Sequence, residues 1–252
     1  ESGTELLFRL IRTAATELPE KGAMLSSTLE HPASMSAMKK WAKNTHRDHL
    51  IVKHDDETGT VDERAYIKKL TSDIRIVSIV HTSPVTGMTV DLEKITKEIR
   101  NVVPDCIIIV DGIQHSSHGA IDVQKYDIDG YVVSPYKMFS RHGYGVAWAS
   151  DRLCTLKKEQ LADGPSQNWE LGTRDAGSYA TFSDVVDYLD WLGSHFTESE
   201  NTRERLEASS LAIKSHEQEL VDLVLNGAED IVGLGNNESI ASKSINVNGS
   251  SE

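Results

Sequence analysis

An α/β fold is expected for this chain: a mostly parallel sheet with helices on both faces. Three observations predict it. Short apolar runs of strand length recur along the first 150 residues, as in the segments 74–80 and 107–110. Segments with helical spacing and capping residues separate them. Two chemistry-bearing residues, Asp111 and Lys137, each stand just after such a run. In a parallel sheet the carboxyl ends of neighbouring strands open onto one crevice, so those two residues would converge.

The elements follow in order. Ser2-Gly3-Thr4-Glu5 fits a capping box, and Leu6, Leu7, Leu10 and Ile11 then share one helical face. Residues 24–29 read as a strand, 34–43 as a helix and 50–54 as a strand. Residues 63–70 look helical, 74–80 form a strand and 91–102 an amphipathic helix. The segments 107–110, 130–133 and 145–149 complete the strands. Alternation of this kind implies a mostly parallel sheet with helices on both faces. From Asp184 the pattern changes, with Val185, Val186, Leu189, Trp191 and Leu192 suggesting one helix and residues 202–225 a long second one. We therefore divide the chain into a large domain, 1–183, and a segment, 184–252, that connects to the beginning of a smaller C-terminal domain. The chain opens without a methionine and closes on SKSINVNGSSE, a strand-like run with no partner in view. It reads as the middle of a longer protein.

Composition narrows the function. The 252 residues are 38% hydrophobic and 26% charged, an ordinary globular balance. A formal charge of −13 speaks against nucleic acid or an anionic membrane as partner. Apolar runs fall far short of the roughly 20 residues of a membrane span. Cys106 and Cys154 make neither a disulfide framework nor a metal-ligand spacing, which suggests a reducing cytoplasmic setting. Both read as small packing residues.

Several side chains could carry chemistry, and each has a plainer reading beside it. Asp111 ends a buried run, where a carboxylate must be paired or hydrogen-bonded, or else serve as a helix cap. Gly112 allows close backbone approach, and Gln114 offers an amide. Lys137 follows Ser134-Pro135-Tyr136 and precedes a turn containing Gly143 and Gly145. Such a lysine is a Schiff-base former and proton carrier, or an ordinary surface lysine. His31, in Leu29-Glu30-His31-Pro32, is a ring over a ligand or a loop histidine. Gly3 and Thr4 at a helix N-terminus can seat a phosphate, a role compatible with simple capping. Arg174 is an anion ligand or half of a salt bridge. His115 and His118 lack a third partner at definable spacing, so no metal is assigned. No G-x-G-x-x-G follows a strand, which disfavours a dinucleotide-binding domain.

Taken together, VDGIQ…H…IDV…D…DGYVVSPYK…GYGVAW, with SGTE at the start, LEH at 29–31, HTSPVTG at 81–87 and WELGTRD at 169–175, resembles the class V aminotransferase family. Within it, the closest likeness is to the cysteine desulfurase-like branch of the fold-type I enzymes that use pyridoxal phosphate. The resemblance runs over nearly the whole chain. It implies a homodimer acting on an amino acid. It implies that Lys137 forms the Schiff base, Asp111 pairs with the pyridine nitrogen, Gln114 lies beside the ring hydroxyl, and His31 stacks on the ring and moves protons. It further implies phosphate binding by Gly3, Thr4, Ser134 and Tyr136, and by Thr173 reaching the neighbouring subunit's cofactor.

Two positions depart from the desulfurase pattern. Tyr136 stands where a histidine usually precedes the lysine, and Pro84 where an asparagine lies near the ring hydroxyl. The HTSPVTG segment is more like isopenicillin N epimerase-like enzymes and related C–S lyases. A loop cysteine and a carboxylate-binding arginine, which would choose the reaction, are expected beyond Glu252. The alternatives to a desulfurase or C–S lyase are thus an epimerase-like enzyme and a non-catalytic dimerisation module.

Overall fold

The computed structural model describes residues 1–19, 21–165, 168–229 and 231–236. Its centre is a six-stranded sheet: β1 (Ala23–Ser27), β2 (His49–Val52), β3 (Ile74–Val80), β4 (Ile107–Asp111), β5 (Gly130–Val133) and β6 (Val146–Ala149). The spatial order is β2-β1-β3-β4-β5-β6. The first five strands pair in parallel, and β6 closes one edge antiparallel to β5. The expected architecture is present.

Side-chain alternation sorts the strands' apolar residues onto two faces. On one face Met24, Ile76, Ile107, Ile109 and Val132 meet Leu7, Leu10 and Ile11 of α1 (Gly3–Glu17) and Ala33, Ala37 and Met38 of α2 (Pro32–Thr45). On the other, Leu25, Val77, Ile79, Ile108 and Val110 meet Tyr66 of α3 (Glu63–Ile67) and Ile95 and Ile99 of α4 (Leu92–Val102). Both faces are covered, which is why strands such as Ile107–Asp111 carry unbroken apolar runs.

Helix starts follow their caps. Ser2 and Glu5 make the full capping box of α1, and Asp62 and Asp91 cap α3 and α4. His31 caps α2, with Pro32 in the first turn, so that helix begins two residues earlier than expected. A short α5 (Asp151–Cys154) precedes α6 (Ala176–Gly193) and α7 (Thr202–Asn226). Helix α6 starts at Ala176, capped by Asp175, so the division drawn after residue 183 passes through it. Its first turn, Ala-Gly-Ser-Tyr, lacks apolar periodicity, which hid it from a pattern reading. Helices α6 and α7 cross closely at Gly193, where a Cβ would sit 1.9 Å from the Arg205 carbonyl oxygen. A two-stranded ribbon, Gly227–Ala228 with Ile231–Val232, follows α7. The strand-like SKSINVNGSSE run lies outside the described residues.

At the sheet edge remote from the strands' carboxyl ends, Asp129 ties three strands together. Its carboxylate accepts from Arg100 and the Ile108 N–H, both at 2.9 Å, and from Ser150 Oγ at 2.9 Å. Among the described residues, no helix is long and apolar enough to cross a membrane.

Candidate active site

The carboxyl ends of β1, β3, β4 and β5 and the N-terminus of α1 surround one cleft of about 160 Å³. It is lined by Ser2, Gly3, Thr4, His31, Val80, Thr82, Pro84, Asp111, Ile113, Gln114, Ser134, Tyr136 and Lys137. Eight of the nine residues proposed from the sequence are therefore neighbours, although they span positions 3 to 137. Thr173 is the exception: it is exposed and stands apart from the lining.

Asp111 is the last residue of β4 and 2% exposed. Its Oδ1 accepts from the Ile113 N–H at 3.1 Å and its Oδ2 from Ser34 Oγ at 3.0 Å. Burial pushes the carboxyl above its usual range, opposed by those two hydrogen bonds and by His31 and Lys137. Lys137 closes a short 3-10 turn, Pro135–Lys137, directly after β5. Its ammonium donates to Gln114 Oε1 at 2.8 Å. Among the described residues it makes no ion pair.

His31 owes its aim to the cap. Its Nδ1 accepts from the Ala33 N–H at 3.1 Å, so the proton of the neutral ring resides on Nε2. The start of α1 is pressed against the lysine turn: a Cβ on Gly3 would fall 2.4 Å from Ser134 Oγ. The Gly145 N–H donates to the Glu1 carbonyl at 2.6 Å, which anchors this end to the glycine turn. The N–H groups of Gly3 and Thr4 lie in the first turn of α1, where no intrahelical acceptor exists. With the Ser134 and Thr4 hydroxyls they make a donor-rich corner suited to an anion.

Tyr131, His81 and Glu30 are residues that the pattern reading missed, and Gly112 has another neighbour than the pattern suggested. Gly112 permits a close approach, but of a protein side chain: its Cβ would meet Tyr131 Cε1 at 2.1 Å. The Tyr131 hydroxyl lies 2.8 Å from His81 Nδ1, and His81 stacks on His115 at 3.5 Å. Burial pushes these imidazoles down, His81 to about 2 and His115 to about 4, so both are neutral supports behind the cleft. His118 turns outward, with Nδ1 2.7 Å from Glu217. Glu30, next to His31, is buried. An acid between Leu29 and His31 at a strand end was the signal that could have found it. Arg174 pairs with Glu170 and Glu1. Cys106 is buried, its thiol pushed up to about 11 by that burial, and Cys154 is also free.

The aminotransferase class-V family is matched over residues 1–212. A probable cysteine desulfurase of Pseudomonas putida is 26% identical, covering 82% of this chain and 51% of that protein. A cysteine desulfurase-like protein of Aspergillus flavus is 31% identical, covering 74% and 45% respectively. The crystal structure of the cysteine desulfurase CsdA from Escherichia coli superposes with a TM-score of 0.66 at 21% identity, over 81% of this chain and 52% of that one. This last likeness is one of fold. The chain spans about half the length of these relatives. With its parallel sheet, its strand-end cleft and a match over 212 residues, the chain belongs to the aminotransferase class-V family.

Proposed function

We propose that the protein is a pyridoxal-phosphate-dependent enzyme acting on an amino acid, of the cysteine desulfurase or C–S lyase kind. The convergence of Lys137, Asp111, Gln114 and His31 with the open N-terminus of α1 on one cleft carries this reading. Family membership supports it, since class V aminotransferases and cysteine desulfurases work with this cofactor.

The residues present fit the group. The corner made by Gly3, Thr4, Ser134 and Tyr136 supplies donors for a phosphate, and a side chain at position 3 would fill it. Among the described residues Lys137 has no carboxylate partner, and it can offer its amine for a covalent bond. Asp111 is an acid held inside the sheet, suited to a protonated pyridine nitrogen. When bound, the cofactor would draw electrons from the substrate Cα. Lys137 Nζ would hold the cofactor and would take and return the substrate Cα proton, and His31 Nε2–H would be ready to donate. Gln114 positions the lysine. Thr173, exposed on one chain, would reach the cofactor of a second copy in a homodimer. We place the protein in the cytoplasm, where two unpaired cysteines are stable.

Pro84 in the cleft wall favours a second reading, an isopenicillin N epimerase-like enzyme, because it puts an imide ring where a desulfurase has an asparagine. The test begins with pyridoxal phosphate added to the protein. The wild type should give a visible-absorbing adduct that borohydride fixes to the chain, and Lys137→Ala should not. Identical spectra would defeat the proposal. In the full-length protein, release of alanine and sulfur from cysteine separates desulfuration from epimerisation.

A further inference from the structure

Glu30 is 5% exposed, and no lysine, arginine or histidine among the described residues pairs with it. Its Oε1 accepts from Ser27 Oγ at 3.0 Å, the Val80 N–H at 3.1 Å and the Ser27 N–H at 3.4 Å. Its Oε2 lies 3.4 Å from Ser78 Oγ. The carboxyl thereby joins the end of β1 to the end of β3.

Val80, whose N–H it accepts, is the register partner of Asp111 on β4. Neighbouring strands run about 4.8 Å apart, so two buried carboxyl groups share this corner of the sheet. Two such groups do not both ionise in an apolar interior, and one keeps a proton. Their surroundings differ. Asp111 has two hydrogen-bond donors and feels the positive charge of Lys137 and, when it is protonated, of His31. Glu30 faces Ser27, Ser78 and the Tyr66 phenol, itself pushed up by burial and by Glu30.

We propose that Glu30 stays protonated as a neutral positioning residue, holding the β1 turn that aims His31 and leaving the negative charge of the pair on Asp111. This rests on the reading that Asp111 meets a cationic ring, because that pairing needs Asp111 ionised. The arrangement of donors agrees: with its proton on Oε2, Glu30 can donate to Ser78 Oγ while Oε1 keeps its three donors. Burial and the charge of Asp111 push the Glu30 carboxyl up to about 8, so it loses this state only in mildly alkaline solution.

Infrared spectroscopy of the chain in deuterated buffer without pyridoxal phosphate locates the proton. At neutral pH the wild type should show the carbonyl band of a neutral buried carboxylic acid. Glu30→Gln should remove that band, Asp111→Asn should keep it, and it should bleach near pH 8. A band lost in Asp111→Asn and kept in Glu30→Gln overturns the proposal, as does its absence from the wild type. With pyridoxal phosphate added, the wild-type adduct spectrum should change as pH rises through about 8, while Glu30→Gln stays flat. Parallel titrations overturn it too. The infrared result needs no cofactor, so a wild type that makes no adduct refutes the cofactor reading while the band still decides where the proton sits.

Discussion

Replacing Arg100 with methionine tests how the sheet is held at the end opposite the cleft. The Arg100 side chain is 10% exposed and that of Asp129 1%, with 2.9 Å between Nη2 and Oδ2. The same guanidinium donates to the carbonyls of Pro104, Cys106 and Asp127, at 2.9, 2.6 and 2.9 Å. Breaking a buried ion pair by removing one partner costs roughly 3–5 kcal/mol, because the other charge is left uncompensated. Here the lower end applies. Asp129 keeps the Ile108 N–H and Ser150 hydroxyl, and half-exposed Arg152 remains 3.5 Å from Oδ1. We therefore expect about 3 kcal/mol of lost stability in urea unfolding, or a Tm lower by about 6–12 °C in a chain of this size. Adding Asp129→Asn to Arg100→Met removes the stranded charge, so the double variant should recover part of the loss. The pyridoxal-phosphate adduct of folded Arg100→Met should match the wild type, since the pair lies away from the cleft. A loss below about 1 kcal/mol, or a double variant less stable than Arg100→Met alone, would refute the view that Asp129 needs its cation.

Two further outcomes are expected. Because the folded Glu30 carboxyl is raised from 4.5 to about 8, the stability it contributes is fully present below pH 4.5 and is lost as pH rises through about 8. Urea unfolding of the wild type relative to Glu30→Gln should thus fall by up to about 5 kcal/mol across that window, and parallel pH curves would count against it. Gly3→Ala must push Ser134 Oγ or Ile113 Cδ1 aside, since its Cβ would lie 2.4 and 2.7 Å from them. Overpacking of this kind costs about 1–3 kcal/mol, and pyridoxal phosphate should bind far more weakly; unchanged binding in a spectroscopic titration would show that the corner does not hold the phosphate.

Most of the fold was legible because its strands are buried on both faces and read as plain apolar runs. The capping box at Ser2 and Glu5, and the strand ends at Asp111 and Val133, fell where local chemistry put them. Helix α6 was clipped because its first turn interacts through Ser178 and Asp175 rather than through an apolar stripe. At the site, position relative to a strand end was enough to pick out Asp111, Lys137 and His31. It could not show which element approaches which. Gly112 looked like a place for a ligand and proved to be the floor under Tyr131. Glu30 was passed over because its one local signal, a place between Leu29 and His31 at a strand end, does not by itself separate a buried acid from a solvated one; the packing of β1 against β3 does so. His81 and His115 were obscure for the same reason, since their contact joins segments more than thirty residues apart.

The seam between the start of α1 and the lysine turn also bears on how the chain is made. Gly3 and Ser134 meet across about 130 residues of sequence. At a ribosomal rate of roughly 5–20 residues per second, the corner they form cannot close until roughly 6–23 s after α1 has been synthesised. As the chain grows, the apolar stripe of Leu7, Leu10 and Ile11 meets α2, β1 and β3 first, and Ile107, Ile109 and Val132 only with the last thirty or so residues before Ser134. Anion binding at that corner can reward only a chain that has already emerged past β5, more than a hundred residues after the helix that supplies one side of it.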